Sequence, residues 1–313
     1  MIDATVVRCG DLVFVGGVAG GSDDLFPRLA EALARENATL ADVVELTTFH
    51  ADVREMDAVF EAGARALSPP YPAWTPVGMV GPASDGAPAV ARAIAHTGDG
   101  EKKAVVPDTI SWWRRYPWSA GYRCGGLVAV AGQYGTDTDG HVVTPGYHDG
   151  QSRNALNRVT EVCSLLGGGL GDVVDVWSFH QDPRGIEPCL EVAAGEFFTD
   201  ALPDWTAAGT PGLHGFGMLC QFRALAEVGE RRLVVYATEA GGDVRAAFEA
   251  VAALAGVLVE VVCFHKDARD AEDVRQAGRR LLGDRSPAWT AVGMTGFACE
   301  ESLHAIHALA VRT

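Results

Sequence analysis

Three histidines of this 313-residue chain each follow a phenylalanine and precede an aspartate and an arginine, in the pattern F-H-x-D-x-R. The copies occupy residues 49–54, 179–184 and 264–269. Three imidazoles brought together could bind zinc or iron, and one imidazole could transfer protons near neutral pH. A local hydrogen-bond network at a strand end explains the pattern equally well. Repetition favours the structural interpretation. A fused triplicate is free to lose redundant catalytic residues, whereas every unit needs its scaffold residues.

A second motif, P-x-W-T, follows each copy, at residues 72–75, 203–206 and 287–290. Two linked motifs that recur in order and at nearly constant spacing indicate an internal triplicate. We therefore predict unit one at residues 1–97, a linker at 98–117, unit two at 118–228 and an abbreviated unit three at 229–313.

The composition limits the partners and the compartment. A net charge of −16 argues against nucleic acid and anionic membranes, which are bound by clustered Lys and Arg. The sequence shows neither a signal-peptide pattern nor an apolar run of membrane-spanning length. None of the seven cysteines forms a C-x-x-C pair, which predicts reduced thiols in the cytoplasm, with neither disulfides nor zinc.

Hydrophobic periodicity predicts a mixed sheet and two helices in each unit, an α+β fold. Unit one should have helices over residues 25–36 and 55–67. Its strands should cover residues 12–15, 43–50, 74–80 and 89–95. In unit two, the strands after the F-H-x-D-x-R copy are predicted near residue 205 and at residues 218–226. In unit three they are predicted at residues 289–294 and 303–311. Helices are predicted at 149–166, 187–198 and 271–282 in the later units.

The linker ends in an aromatic and basic segment, Trp112 to Trp118. Trp and Arg can stack on planar anions, so the segment could be a lid or a ligand platform. It could equally be a linker that holds unit two against unit one by burying tryptophan.

The order of elements resembles the Rid family (reactive intermediate deaminases, also called YjgF). The matching features are the strand ending in Phe with a nearby Asp, the P-A-x-[ST] word, and a C-terminal strand ending at Arg312. In unit two, residues 118–122 and 131–133 are similar to the family's N-terminal words. The resemblance implies homotrimers whose clefts between subunits hydrolyse imines and enamines and release ammonia. Three fused units then imply a pseudo-trimer with central sheets and outer helices, acting as a monomer or a dimer of such chains.

Two functional positions of the family are changed. The family's P-A-R-[ST] arginine, which pairs with the substrate carboxylate, is replaced by Trp74, Trp205 and Trp289. The family's glutamate on the last strand corresponds to Val90, Gln221 and Ala305. The tryptophans either fill the space left by Arg or form an aromatic wall that binds a planar substrate.

Three residues lie two positions beyond the lost glutamate, on the same strand face: Arg92, Arg223 and His307. The arginines could bind a carboxylate and the histidine could move protons. Alternatively, they pair with carboxylates of a neighbouring unit.

Residues present in one unit only are further candidates. Unit two has Tyr122, Gln133 and His214, and also a loop carrying His141, Tyr147 and His148. Unit three has Cys299 and Glu300 shortly before His304 and His307, a set that could supply a nucleophile and an acid or base. Solvated carboxylates on a turn are the plainer explanation of the glutamate.

We therefore predict a divergent Rid-like enzyme with no cofactor and no metal. It would act on a small carboxylated or imine or enamine metabolite by hydrolysis, deamination, dehydration or elimination, in specialised metabolism. One alternative is a chorismatase-like hydrolase, because chorismatases look like fused Rid trimers. The other is a non-catalytic small-molecule-binding or scaffold protein, which the loss of the Arg and the Glu favours.

Overall fold

Three β-sheets form the core of the computed structural model, which describes residues 4–81 and 86–313. The strands β1–β15 are Thr5–Cys9, Leu12–Gly20, Val43–His50, Ala73–Gly78, Ala89–His96, Lys102–Val105, Gly121–Cys124, Leu127–Tyr134, Val173–His180, Asp204–Gly209, Cys220–Glu227, Leu233–Ala240, Val257–His265, Ala288–Gly293 and His304–Val311. The helices α1–α6 are Leu25–Ala34, Met56–Ala66, His148–Leu165, Ile186–Val192, Arg245–Ala252 and Ala271–Leu282. Within these described ranges, no helix combines the length and apolar character needed to cross a membrane.

The same four-stranded arrangement occurs in every sheet. The strand orders are β2-β5-β3-β4, β8-β11-β9-β10 and β12-β15-β13-β14, and in each the last pair is parallel while the others are antiparallel. The first sheet adds β1 beside β2, and the second adds β7 and β6 beside β8. The predicted α+β fold of three tandem units is therefore confirmed.

A β-bulge recurs at one place in the three sheets. It interrupts the pairing of β3, β9 and β13 immediately before an acidic residue, which is Glu45, Asp175 or Glu260. A bulge bends its strand and redirects the side chains beside it. The three carboxylates therefore occupy equivalent positions in the three units and point the same way relative to their own sheets.

The phenylalanines of F-H-x-D-x-R meet where the three sheets face one another. The ring centroids of Phe49, Phe179 and Phe264 lie 6.0–6.3 Å apart in edge contacts, and all three side chains are buried. Because side chains alternate along a strand, the adjacent histidines point to the opposite faces, toward the helices. The phenylalanine is thus a core residue shared by all the units.

The threonine of P-x-W-T joins neighbouring units. Thr75 Oγ1 accepts a hydrogen bond from the Gly132 N–H at 2.9 Å, and Thr290 Oγ1 accepts one from the Gly17 N–H at 3.1 Å. Thr206 Oγ1 is buried without a partner in the part of the chain that the structure describes. Two of the three junctions therefore carry this bond.

Part of the segment expected to be a linker belongs to the second sheet. Strand β6 pairs with β7, and a 3-10 turn over Asp108–Arg115 follows it. The two lysines of β6 are exposed, so the strand lacks the apolar alternation by which strands are predicted.

Gly63 of α2 marks where the tryptophan of unit one packs against a helix. A Cβ atom at Gly63 would lie 2.5 Å from Trp74 Cζ3, and one at Gly278 of α6 would lie 2.8 Å from Trp289 Cη2. In unit two Ala193 occupies the corresponding position, and there the helix ends in a π-helical turn over Ala193–Phe197. The helix predicted over residues 187–198 is thus present up to Phe197, with a π-helical last turn.

Replacing Gly63 with Ala is expected to lower the free energy of unfolding by about 1–3 kcal/mol, because the methyl group overlaps a buried indole. Urea denaturation measures the loss. Gly195→Ala is the control, because no atom lies within 4 Å of its added Cβ. Equal free energies of unfolding for the two variants would show that the Trp74 indole moves aside without an energetic cost.

Candidate functional site

Arg92, Arg223 and His307 lie in the interior of the molecule, and their side chains are completely buried. Arg92 donates to both carboxylate oxygens of Glu260 in unit three, from Nε at 2.8 Å and from Nη2 at 2.9 Å. It also pairs with Glu45 of its own sheet. Arg223 Nε donates to the other oxygen of Glu45 at 3.2 Å. Ion pairs therefore cross from one unit to the next.

Asp175 continues this network in unit two. It pairs with Arg223, and its Oδ1 lies 3.1 Å from His307 Nε2 of unit three. Burial opposes ionisation of Asp175, but His307 and Arg223 hold its pKa at about 2. The Trp177 ring packs among the cations, with its centroid 5.0 Å from Arg92 Cζ and 4.4 Å from Arg223 Cζ.

The structure thus places Arg92, Arg223 and His307 in a closed ionic network rather than in a cleft. Each pairs with a carboxylate of another unit, which was the alternative to a catalytic role. The sequence analysis missed the acidic partners Glu45, Asp175 and Glu260. They could have been found, because an Asp or Glu stands four positions before the motif phenylalanine in all three copies.

The aspartate and arginine of F-H-x-D-x-R form a local structure at the surface. Asp52 accepts a hydrogen bond from the Arg54 backbone N–H at 2.9 Å and also binds its guanidinium. The same pair recurs as Asp182 with Arg184 and as Asp267 with Arg269. In each copy the aspartate caps a short 3-10 turn that leads into a helix.

The motif histidine and the motif tryptophan are linked through a hydroxyl group. Trp74 Nε1 donates to Thr48 Oγ1 at 2.8 Å, and this hydroxyl lies 2.8 Å from His50 Nε2. An indole N–H can only donate, so the Thr48 hydroxyl accepts from Trp74 and forms a second hydrogen bond with the His50 imidazole. The corresponding chain in unit two, with both distances 2.9 Å, is Trp205, Ser178 and His180.

Unit three lacks this relay, because Cys263 stands at the position of the hydroxyl residue. Its histidine instead faces His304, with 3.1 Å between the two Nδ1 atoms. Burial lowers the pKa of both His50 and His265 to about 3, with a nearby second histidine adding to the effect. The three imidazoles lie on helix-facing sides of separate sheets and form no three-histidine metal site.

Elsewhere in residues 4–81 and 86–313, one set of potential metal ligands clusters within 4.8 Å: Asp137, Asp139 and His141. Two of these side chains are exposed on a loop, where solvated acidic groups are common. Their exposure is typical of solvated surface side chains.

An aromatic cluster fills the junction between units one and two. Its members are Phe60, Trp74, Tyr116, Trp118 and His214. The Tyr116 and Trp118 rings are stacked, with centroids 4.3 Å apart and planes 4° apart. The segment Trp112 to Trp118 therefore holds the units together by burying tryptophan, which is one of its two predicted roles. Its role as a ligand platform stays a prediction.

His214 is the titratable group of this junction. Its ring stands edge-on to Phe60 at 4.9 Å and to Tyr116 at 5.4 Å. Its Nε2 lies 3.8 Å from Oδ1 of Asp57, an exposed residue of α2 that the sequence analysis missed. Burial lowers the pKa of His214, and Asp57 partly offsets the effect. His214 is therefore neutral near pH 7, partly accessible, and able to accept a proton.

The junction between units two and three contains a pocket of about 430 Å³ at the corresponding place. Arg184 and Glu187 of unit two and Lys266 and Glu300 of unit three line its polar side. The predicted Glu300 is exposed, and the neighbouring Cys299 donates to Glu301 at 3.1 Å without lining the pocket. Unit three has no counterpart of Tyr116 and Trp118, because its sheet begins at β12.

The remaining predicted residues are buried parts of the core. Burial raises the pKa of Tyr122 to about 12. Gln133 donates to the Ala131 carbonyl at 2.8 Å, and Gln221, at the family's glutamate position, donates to the Tyr134 hydroxyl at 2.5 Å. Of the predicted site residues, the structure thus brings Arg92, Arg223 and His307 together in the ionic network, and Trp74 and His214 together in the aromatic cluster.

Comparison with known proteins identifies relatives of the second unit. Residues 114–228 match the family described as Endoribonuclease L-PSP. The RutC family protein YjgH of Escherichia coli K12 is 32% identical over 133 residues, which cover 42% of this chain and 98% of that protein.

Solved structures extend the comparison. A member of the YjgF/YER057c/UK114 family from Mycobacterium tuberculosis is 25% identical, covers 41% of this chain and 100% of its own, and has a TM-score of 0.36. A chorismatase structure covers 72% of this chain and 78% of its own, at 14% identity and a TM-score of 0.55. At that identity the second likeness concerns the fold alone.

Proposed function

Because the chain belongs to the YjgF (RutC, Rid) family, we propose that it hydrolyses a small imine or enamine carrying a carboxylate, at the junction of units one and two. The observation that carries the proposal is the neutral, partly accessible His214 beside Asp57 and the Tyr116–Trp118 stack. Trp74 and Gln221 replace the family's arginine and glutamate, so another group must move the protons.

His214 supplies the proton transfers in this proposal. It takes a proton from water as the water oxygen adds to the carbon of the C=N bond. It gives this proton to the nitrogen, which forms a carbinolamine. It then transfers the hydroxyl proton of the carbinolamine to the same nitrogen, the C–N bond breaks, and ammonia leaves as the carbonyl forms. An enamine first gains a proton on carbon and becomes the imine. Asp57 orients the ring and stabilises its charged form.

The Tyr116–Trp118 stack defines the proposed substrate class. Stacked rings favour a flat, conjugated molecule over a compact aliphatic one. Arg115 lies over the Tyr116 ring, 5.3 Å from its centroid, and is exposed. Its guanidinium can pair with the carboxylate that the family's arginine would otherwise bind. The units in this arrangement are residues 1–97, 118–228 and 229–313, and the connection 98–117 contributes Arg115 and Tyr116.

His214→Asn is expected to lower kcat by about 100-fold or more, because general acid–base catalysis contributes at least that much. Imino acids generated in situ by an amino acid oxidase serve as substrates, and the loss of imine absorbance gives the rate. Because burial lowers the pKa of His214, kcat should fall only when the pH drops below the usual value of 6.5 for histidine. Below its own pKa the ring is protonated and cannot accept a proton.

His141→Asn, which changes an exposed histidine outside the junction, is the matched control and should keep full activity. Arg115→Met should raise KM more than it lowers kcat. If the unaltered protein accelerates none of the imines, the enzymatic proposal fails. Saturable quenching of tryptophan fluorescence by the same compounds would then identify a binding protein instead.

A further inference from the structure

A pair of buried cysteines lies behind the motif histidine of unit two. Cys189 of α4 and Cys220 of β11 both lie against the Ser152 hydroxyl, with sulfur–oxygen distances of 2.5 Å and 3.5 Å. Ser152 Oγ donates to the His148 carbonyl at 2.7 Å, so its lone pairs face the two sulfur atoms. The sulfurs are therefore neighbours around one oxygen.

His180 orients toward one member of this pair. Its Nδ1 lies 3.7 Å from Cys189 Sγ, and its Nε2 is hydrogen-bonded to Ser178, which also accepts from Trp205. With a proton on Nδ1, the ring donates toward Cys189 and stabilises a thiolate there. The neighbouring Cys220 thiol and His180 lower the pKa of Cys189, whereas Cys189 and burial raise that of Cys220.

The pair is confined to unit two. The positions corresponding to Cys189 carry Val59 and Val274, and those corresponding to Cys220 carry Ala89 and His304. Each cysteine alone would be an ordinary small core residue. Both thiols occur in the unit whose motif imidazole, His180, lies 3.7 Å from one of them.

We propose that Cys189 and Cys220 are a redox-active dithiol, oxidised to an internal disulfide by a hydroperoxide. The Cys189 sulfur attacks one peroxide oxygen, the O–O bond breaks, and a sulfenic acid and hydroxide or alkoxide form. The Cys220 sulfur then attacks the sulfenic sulfur, and water leaves as the S–S bond forms. The two sulfurs are oxidised and the peroxide is reduced, with the two thiol protons ending on water and the alcohol.

His148 lies close to the pair. Its half-buried ring is 6.3 Å from the His180 ring, and its buried Nε2 has no hydrogen-bond partner in the described part of the chain. Entry of the hydroperoxide would require displacement of this ring. The disulfide would fasten α4 to β11 and hold the segment Pro183–Gly185, part of which lines the pocket between units two and three.

The test uses the full chain carrying Cys299→Ser, which removes the exposed thiol. After hydrogen peroxide treatment, intact mass should fall by about 2 Da and peptide mapping should find one link, between residues 189 and 220. Both thiols should disappear at least about tenfold faster than Cys163, whose pKa burial raises to about 12.

Single substitutions separate the steps. With Cys220→Ser, Cys189 should stop at a sulfenic acid that dimedone traps, and with Cys189→Ser no link should form. Cys163→Ser is the matched buried control and should keep the disulfide. Peptide mapping of the Cys299→Ser protein decides the question even if a core variant fails to fold. A link between another pair, or no mass loss from folded protein, overturns the proposal.

Discussion

Replacing Arg92 with Met should lower the free energy of unfolding by about 3–5 kcal/mol, because one partner of a buried ion pair is lost. The bidentate bond to Glu260 joins units one and three, and both side chains are completely buried. Without Arg92, Glu260 is left as a buried carboxylate, while Glu45 keeps Arg223. Urea denaturation at pH 7, with the m-value compared, measures the loss.

The double variant Arg92→Met with Glu260→Leu should recover most of this stability, because an apolar pair often replaces a buried ion pair at little cost. Arg54→Met is the matched control, since it removes an arginine from an exposed pair with Asp52 and should change stability little. If Arg92→Met lowered the free energy of unfolding no more than Arg54→Met, the ionic network would not stabilise the junction. Arg92 would then again be a candidate catalytic residue.

Phe264→Ala is the second variant with a large expected effect, a loss of about 3–5 kcal/mol, because it opens a cavity in the core. The ring contacts Phe49 and Phe179 of the other units at 6.0 Å and 6.2 Å, and Trp177 at 5.4 Å between centroids. The cavity would lie where all three sheets meet. Thermal and urea unfolding followed by circular dichroism measure the loss.

Two variants control for chemistry and for size. Phe216→Ala removes the same ring from a fully exposed position and should change stability by less than about 0.5 kcal/mol. Phe264→Leu keeps most of the volume and should cost less than about 1.5 kcal/mol. If Phe264→Ala lowered the free energy of unfolding as little as Phe216→Ala, the stability of the units would not depend on this shared core.

Elements with a clear period were predictable from local sequence. The strand Val43–His50 and the helix Ala271–Leu282 have the bounds that the sequence predicted. Their apolar residues follow one period and end at turn residues. Strand β6 was missed because it forms by pairing with β7, a contact that its lysine-rich sequence does not indicate.

The site was less predictable than the fold, because a strand pattern identifies a face but not what that face meets. Arg92, Arg223 and His307 share one face as expected, yet that face points to the junction of the sheets. His214 was a candidate from its loop alone. Its partners Asp57 and Tyr116 come from α2 and the linker, far apart in the chain.

The sequence by itself determined the triplicate, its strands and helices, and which residues share a face. These follow from short-range periodicity and from two repeated words. Only the tertiary structure decided which structural role each residue of the two motifs has. It placed the phenylalanines in a common core and the histidines on separate outer faces, where hydroxyl relays link two of them to tryptophans. Those placements depend on how three sheets pack, which no local pattern encodes.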